Sequence, residues 1–349
     1  MIMNKKVLYS FSLLLFTLLL TGCKNGDADF PDYEKGVSVY FANQYPVRTL
    51  VMGEDEYDTT LDNLHMCQIQ ATMGGSYNGR DITLELKVDN TLCKNLYFTE
   101  DETPILPMPT EYYELSATSM RYEGFVGKIE VTLKDAFFND AKALEGKYVI
   151  PVSIEKQVGA ERILTGTPVE EGTNPQHTWA EKWITQPKDF TLYAVKYICK
   201  YDANYLRRGS DQITVGGTTK TVTRNKGEWE KEEVKNDITT LSLNAIKYPV
   251  TVDVNGTKMS CDLKITFGND DKVTSIVSLT DGVTVTAGAG EYKTKSEPKA
   301  WNNKDRDGLY LDYTIDFGGG ITVKTSDVLC WQSRGVSKEN FTVVYKESN

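Results

Sequence analysis

Between residues 36 and 165 apolar and polar side chains alternate in short runs. Val37, Val39 and Phe41 are separated by Ser38 and Tyr40, and Ile82, Leu84, Leu86 and Val88 by Thr83, Glu85 and Lys87. Ile129, Val131 and Leu133 repeat the pattern, as do Tyr148, Ile150, Val152 and Ile154. A period of two is that of a strand with one buried face. Gly74-Gly75 and Asn78-Gly79 supply turns between such runs. The one helix candidate is residues 135–144, closed by Gly146. About seven strands over this length predict an Ig-like β-sandwich, because each strand needs a second sheet to cover its apolar face.

Residues 166–188 break the pattern with Gly166, Pro168, Gly172, Pro175 and Pro187. They read as a linker, with Trp179 and Trp183 at its end docking on a neighbour. Alternation resumes over 190–201, 212–223, 238–243, 259–267, 272–278, 283–287, 310–317, 321–324 and 341–345. Leu309, Leu311, Tyr313, Ile315 and Phe317 form the clearest inward set, with Tyr310, Asp312, Thr314 and Asp316 facing the other way. Gly216-Gly217, Asn255-Gly256, Asn269-Asp270 and Gly318-Gly319-Gly320 are tight turns, so residues 189–349 predict an antiparallel meander closing into a β-barrel. The whole chain is thus expected to be all-β.

Composition narrows the function. With 40% hydrophobic and 25% charged residues the chain is an ordinary globular sequence. Its 39 basic against 49 acidic residues give a net charge of −10, which disfavours a nucleic-acid partner. Only 2 His are present, too few for a His-rich metal site. Lys5 and Lys6 precede an uncharged run over residues 7–20, shorter than the roughly 20 residues of a membrane span, so residues 1–22 read as a signal peptide. Leu20-Thr21-Gly22-Cys23 resembles the bacterial lipobox, in which the Cys is acylated; Cys23 is therefore the expected lipid attachment point and residues 23–35 a tether. Asp27 and Asp29 behind it resemble the surface-export signals of Bacteroidetes lipoproteins, which implies an outer-membrane lipoprotein facing the cell exterior. Cys67, Cys93, Cys199, Cys261 and Cys330 show no CxxC spacing and read as buried free thiols.

Several segments carry a resemblance. Val39-Tyr40-Phe41, Val47-Arg48-Thr49-Leu50, Met73-Gly74-Gly75, Val88-Asp89-Asn90-Thr91-Leu92, Leu106-Pro107, Tyr112-Tyr113-Glu114-Leu115, Asp135-Ala136-Phe137-Phe138 and Tyr148-Val149-Ile150-Pro151 look like the DUF1735 domain. That is an N-terminal domain of Bacteroidetes surface lipoproteins and of some surface endo-β-N-acetylglucosaminidases. Tyr193 to Tyr197, Asn204-Tyr205-Leu206-Arg207-Arg208-Gly209 and the stretch from Trp301 through Asp312-Tyr313 to Arg334 are similar to DUF5627, which implies a lipocalin-like barrel. The resemblance implies carbohydrate handling and transfers no catalytic residue; no catalytic barrel is expected.

Candidate chemistry is sparse. A glycosidase needs two carboxylates roughly 5–10 Å apart. Asp312 and Asp316, four residues apart on one strand face, are separated by about 13 Å, too wide for either mechanism. Asp305 and Asp307 are the other acidic pair, and with Asn303 they alternate before Gly308 like the opening of a calcium loop, whose twelfth position is Thr314 rather than Glu. The expectation is an interstrand loop, with calcium as the weaker reading. His65 reads as a sheet residue, His177 lies in the linker, and no nucleophile motif accompanies either. Arg207-Arg208 would clamp an anionic glycan group, or pair with the chain's acids. Sugar rings stack on aromatic planes while their hydroxyls seek Asp, Asn and Arg. Trp229, beside Glu228, Glu230 and Lys231, and Trp301, beside Asn302 and Asn303, are the candidate platforms, with Asn302, Asp305 and Arg208 as polar partners; Trp331 is weighed against core packing. The leading expectation is a non-enzymatic surface lipoprotein that binds glycan in a polysaccharide-uptake system and needs no cofactor. The alternatives are a structural protein docking on an outer-membrane transporter and, more weakly, a glycoside hydrolase.

Overall fold

The structure, a computed structural model, describes residues 31–347, so the signal peptide, Cys23 and most of the tether lie outside the described residues. The chain is nearly all β, as the alternation requires. In the first domain one sheet runs, in order, Arg162–Ile163, Ser38–Tyr40, Met66–Gly74 and Val126–Leu133. The facing sheet runs Thr83–Val88, Tyr148–Val158, Phe190–Ile198, Pro46–Val51 and Glu339–Asn340. Strand Ser119–Glu123 closes the sandwich at one corner, pairing through residues 119–121 with one sheet and through 122–123 with the other. Phe41, Leu50, Ile69, Ile82, Leu84 and Phe137 fill the space between. Removing each such side chain from water contributes about 1.5–3 kcal/mol.

Residues 204–333 build a second core from two antiparallel sheets. The first runs Thr218–Arg224, Asn204–Val215, Ile321–Ser333, Arg306–Asp316 and Thr284–Glu297. The second runs Thr239–Ser242, Ala245–Val254, Thr257–Phe267 and Val273–Ser278. A bridge between Lys272 and Glu291 joins them along one side. On the other side Glu233–Lys235, which pairs with residues 205–207, faces Ala245–Val254 with no pairing between the two among the described residues. The strands therefore curl into a barrel that is left open along one seam. Pro249 lies on it, where a residue without an N–H costs no ladder bond.

Four expectations change. Phe190–Ile198, read as the first strand of the barrel, is hydrogen-bonded into the sandwich between Tyr148–Val158 and Pro46–Val51. The apolar face of Tyr148–Val158 is continued by Leu192 and Ala194, so the two strands share a core that a linker would have separated. The stretch 166–188 is correspondingly tied down: Thr167–Pro168 pairs with Trp183–Thr185, Trp183 is buried, and Trp179 stacks on Tyr345 with ring centroids 4.6 Å apart. The helix expected over 135–144 breaks into Asp135–Phe138 and Ala141–Ala143, because Asp140 turns its carboxylate to Lys142 N and to the hydroxyls of Tyr112 and Tyr148. The strand expected at 341–345 shortens to Val343–Tyr345, and its partner is Leu96–Phe98 of the first domain rather than a barrel strand.

All five cysteines between residues 31 and 347 are buried and free, and burial pushes the Cys67 and Cys93 thiols up to about 12.

Candidate functional site

Trp229 and Trp301 come from two single-turn segments, Trp229–Lys231 and Trp301–Asn303, which touch each other on the outer wall of the barrel. Both indoles are half-buried against a small cluster of Leu206 and Cys330, which point outward from strands whose other face fills the barrel, and Ala300, which precedes the Trp301 turn. The guanidinium of Arg208 lies 3.7 Å from the Trp229 ring centroid, donates through Nε to Glu232 at 2.8 Å and through one Nη to the Gly227 carbonyl at 2.8 Å. Arg208 thus covers one face of Trp229 and is held by a buried acid, so it supports the wall and is not a free clamp for an anion. Asn302 and Asn303 form the exposed tip of the turn with φ of 57° and 54°, a left-handed conformation that Asn tolerates better than most residues.

Next to this wall lies a cleft of about 240 Å³ lined by Glu54, Asp55, Glu56, Lys304, Asp305, Arg306 and Trp331 among others, where a loop of the first domain meets the second. Arg306 is buried, lies 5.0 Å over the Trp331 ring and donates to the Trp301 carbonyl, which links the cleft to the Trp pair. Arg334 fastens the domains below it, donating to the Lys200 and Asp202 carbonyls and to the Glu54 carbonyl. Of the residues expected to act together, Trp229, Trp301 and Arg208 meet, Asp305 lines the adjoining cleft and Asn302 stands on the turn between. The calcium reading of Asn303, Asp305 and Asp307 does not assemble: Asp305 accepts from Lys299 N, whereas Asp307 accepts from Tyr292 Oη and Lys295 N. Among the described residues, no group of three or more His, Cys, Asp and Glu is placed to hold a metal.

The sequence reading missed the interior of the barrel. Asp327 is fully buried there and accepts five hydrogen bonds, two from Arg207, one from Arg224 and one each from the hydroxyls of Tyr248 and Tyr313. Burial alone would raise its carboxyl, but Arg207, Arg224 and Tyr248 hold it below the usual carboxylate range. A second groove, about 570 Å³, runs between Tyr45, Trp179, Gln186 and Tyr345. His177, read as a linker residue, contacts Asp189 at 3.2 Å and packs on Trp183 and Phe190. His65 has φ of 60° ahead of Met66–Gly74 and packs on Phe138.

These features define a two-domain, all-β protein whose clefts are built of aromatic, amide and charged side chains. Its residues 200–335 match the family model DUF5627, a domain of unknown function, and residues 33–161 match a model described as an N-terminal domain. A crystal structure of a protein of unknown function from Bacteroides ovatus is 38% identical, with a TM-score of 0.83, over 90% of this chain and 100% of that one. The chain belongs to the family of that Bacteroides ovatus protein. Two more distant structures are a multidomain protein including DUF1735 from Bacteroides ovatus (11% identity, TM-score 0.39, 86% of this chain and 96% of that one) and an auxiliary nutrient binding protein from Bacteroides thetaiotaomicron (12%, 0.38, 81% and 90%). Both are too remote for their functions to bear on this one. No protein of curated function matches the sequence.

Proposed function

We propose that the protein is a non-catalytic glycan-binding lipoprotein of a polysaccharide-uptake system, held at the outer face of the outer membrane through Cys23. The observation that carries this reading is the pair Trp229 and Trp301, left half-buried outside both main cores, beside exposed amides and a charged cleft. A core needs no indoles on its outer wall. A sugar ring uses such a surface, because its C–H face stacks on an aromatic plane while its hydroxyls bond Asn302, Asp305 and their neighbours. Asp307 has both carboxylate oxygens engaged, by Tyr292 Oη and Lys295 N, so it is not a free second carboxylate beside Asp305. The experiment is an array of host and plant polysaccharides probed with the protein, with released reducing ends measured in parallel. The reading expects retention of at least one glycan without cleavage. Cleavage would overturn the non-catalytic part, and absence of binding across the array would bring forward docking on a transporter.

A further inference from the structure

The open seam of the barrel contains a cavity that the Trp wall does not use. About 270 Å³ in volume, it is lined by Arg207, Glu233, Lys235, Asn236, Asp237 and Thr251 and lies between Glu233–Lys235 and the part of Ala245–Val254 beyond its pairing with Thr239–Ser242. This is close to the lower end of small-molecule sites, roughly 300 Å³, and suits one sugar ring. Its inner end holds two cations, Arg207, paired with Asp327, and Lys235. Arg207 reaches in from the barrel interior, and Lys235, whose side chain is 10% exposed, crosses the seam with Nζ 4.9 Å from the Tyr248 ring centroid. Burial pulls the Lys235 ammonium below its ordinary value.

Arg207 and Arg224 are paired with the buried acids Asp327 and Asp211, which leaves Lys235 as the cation whose partner can be replaced. Asp327 already takes five donors, against about four lone-pair positions on a carboxylate. Arg224 Nε is buried with no acceptor. Lys235 has one carboxylate partner, Asp237, at 2.6 Å, and the Asp237 side chain is 54% exposed at the rim. An incoming anion can take its place without leaving a buried charge unpaired, since the Asp237 carboxylate is already half exposed to water. Glu233, Asn236 and Asp237 then stand at the mouth as acceptors for ring hydroxyls.

We infer that this seam cavity is a second binding site, for an acidic saccharide unit whose carboxylate pairs with Lys235 beside Arg207 and whose hydroxyls bond the rim residues. The site is independent of the Trp wall. Its test is calorimetric titration of the full chain with a digalacturonate, the neutral digalactose counterpart, a sulfated disaccharide and inorganic sulfate. The digalacturonate is expected to bind at least ten-fold more tightly than the neutral sugar. Lys235→Gln should lower that affinity ten-fold or more, Lys235→Arg should retain most of it, and neither change should move the thermal midpoint by more than a few degrees. The double variant Trp229→Ala, Trp301→Ala should leave digalacturonate binding unchanged, which separates this site from the wall. Tighter binding of the sulfated sugar would keep the site and change the anion. Equal binding of acidic and neutral sugars, equal binding of bare sulfate, or indifference to Lys235→Gln would overturn the inference.

Discussion

Asp327 is the residue on which the barrel interior turns, because it is the one acceptor shared by Arg207, Arg224, Tyr248 and Tyr313. Asp327→Ala leaves two guanidinium groups without their common partner, and breaking a buried pair in this way costs about 3–5 kcal/mol. Chemical denaturation should show that loss, whereas Asp312→Ala on the exposed face should change stability by less than about 0.5 kcal/mol. The same network sets an acid limit. Its depressed carboxyl contributes stability that is complete above the unfolded value of about 3.9 and is lost as pH falls through the folded one. Wild type should therefore lose stability steeply below about pH 4, and an Asp327→Asn variant that still folds should show a shallower slope there. Equal slopes would contradict the network. The inward positions Val323, Thr325, Asp327, Leu329 and Trp331 also show why the sequence hid it. Two polar residues at inward positions interrupt the apolar alternation, so the strand reads as ending near residue 324 although it runs to Ser333. Alternation reveals which face is apolar and is silent about a face that buries a charge.

Among elements, the strands with one apolar face were legible, from Thr83–Val88 and Val126–Leu133 to Arg306–Asp316. Ala245–Val254 was not read, although Ile246, Tyr248, Val250, Val252 and Val254 alternate cleanly; Pro249 in its middle looks like a breaker until the open seam gives it a place. The partner of a strand was harder still. Nothing local in Phe190–Ile198 says that it joins the sandwich, because pairing is fixed by which apolar face remains uncovered in three dimensions. One consequence is measurable. Residues 169–174 are exposed, whereas Thr178, Trp183 and Phe190 are buried, so limited proteolysis should cut within 170–174 and spare 176–190. The two fragments should remain together on gel filtration until denatured, since Phe190–Ile198, Glu339–Asn340 and Val343–Tyr345 all pair with the first domain. Fragments that separate in native buffer would contradict this pairing.

For the whole molecule, the sandwich and the curled barrel are tied by Arg334 and by the chain after the barrel, which returns to pair with the first domain, and two of the clefts lie where the domains meet and where the barrel fails to close. The Trp wall was foreseeable because Trp229 and Trp301 stand in polar stretches; that Arg208 is stacked on one of them and held by Glu232 is a matter of tertiary contact, which spacing along the chain does not encode. The proposed display at the membrane rests on Cys23. Cys23→Ala should release a soluble protein or leave an unprocessed precursor, and a variant processed at the same site that still fractionates with membranes would contradict the lipid anchor. The central claim, that the outer wall of the barrel binds glycan through its indoles, is tested most directly by the affinity of wild type, Trp229→Ala and Trp301→Ala for a glycan retained on the array, with folding checked by circular dichroism. Stacking on an aromatic plane is worth about 1–3 kcal/mol in nucleic-acid complexes, and 1.4 kcal/mol is a factor of ten. The account predicts a ten-fold or greater weakening for at least one of the two folded variants; wild-type affinity in both would contradict it.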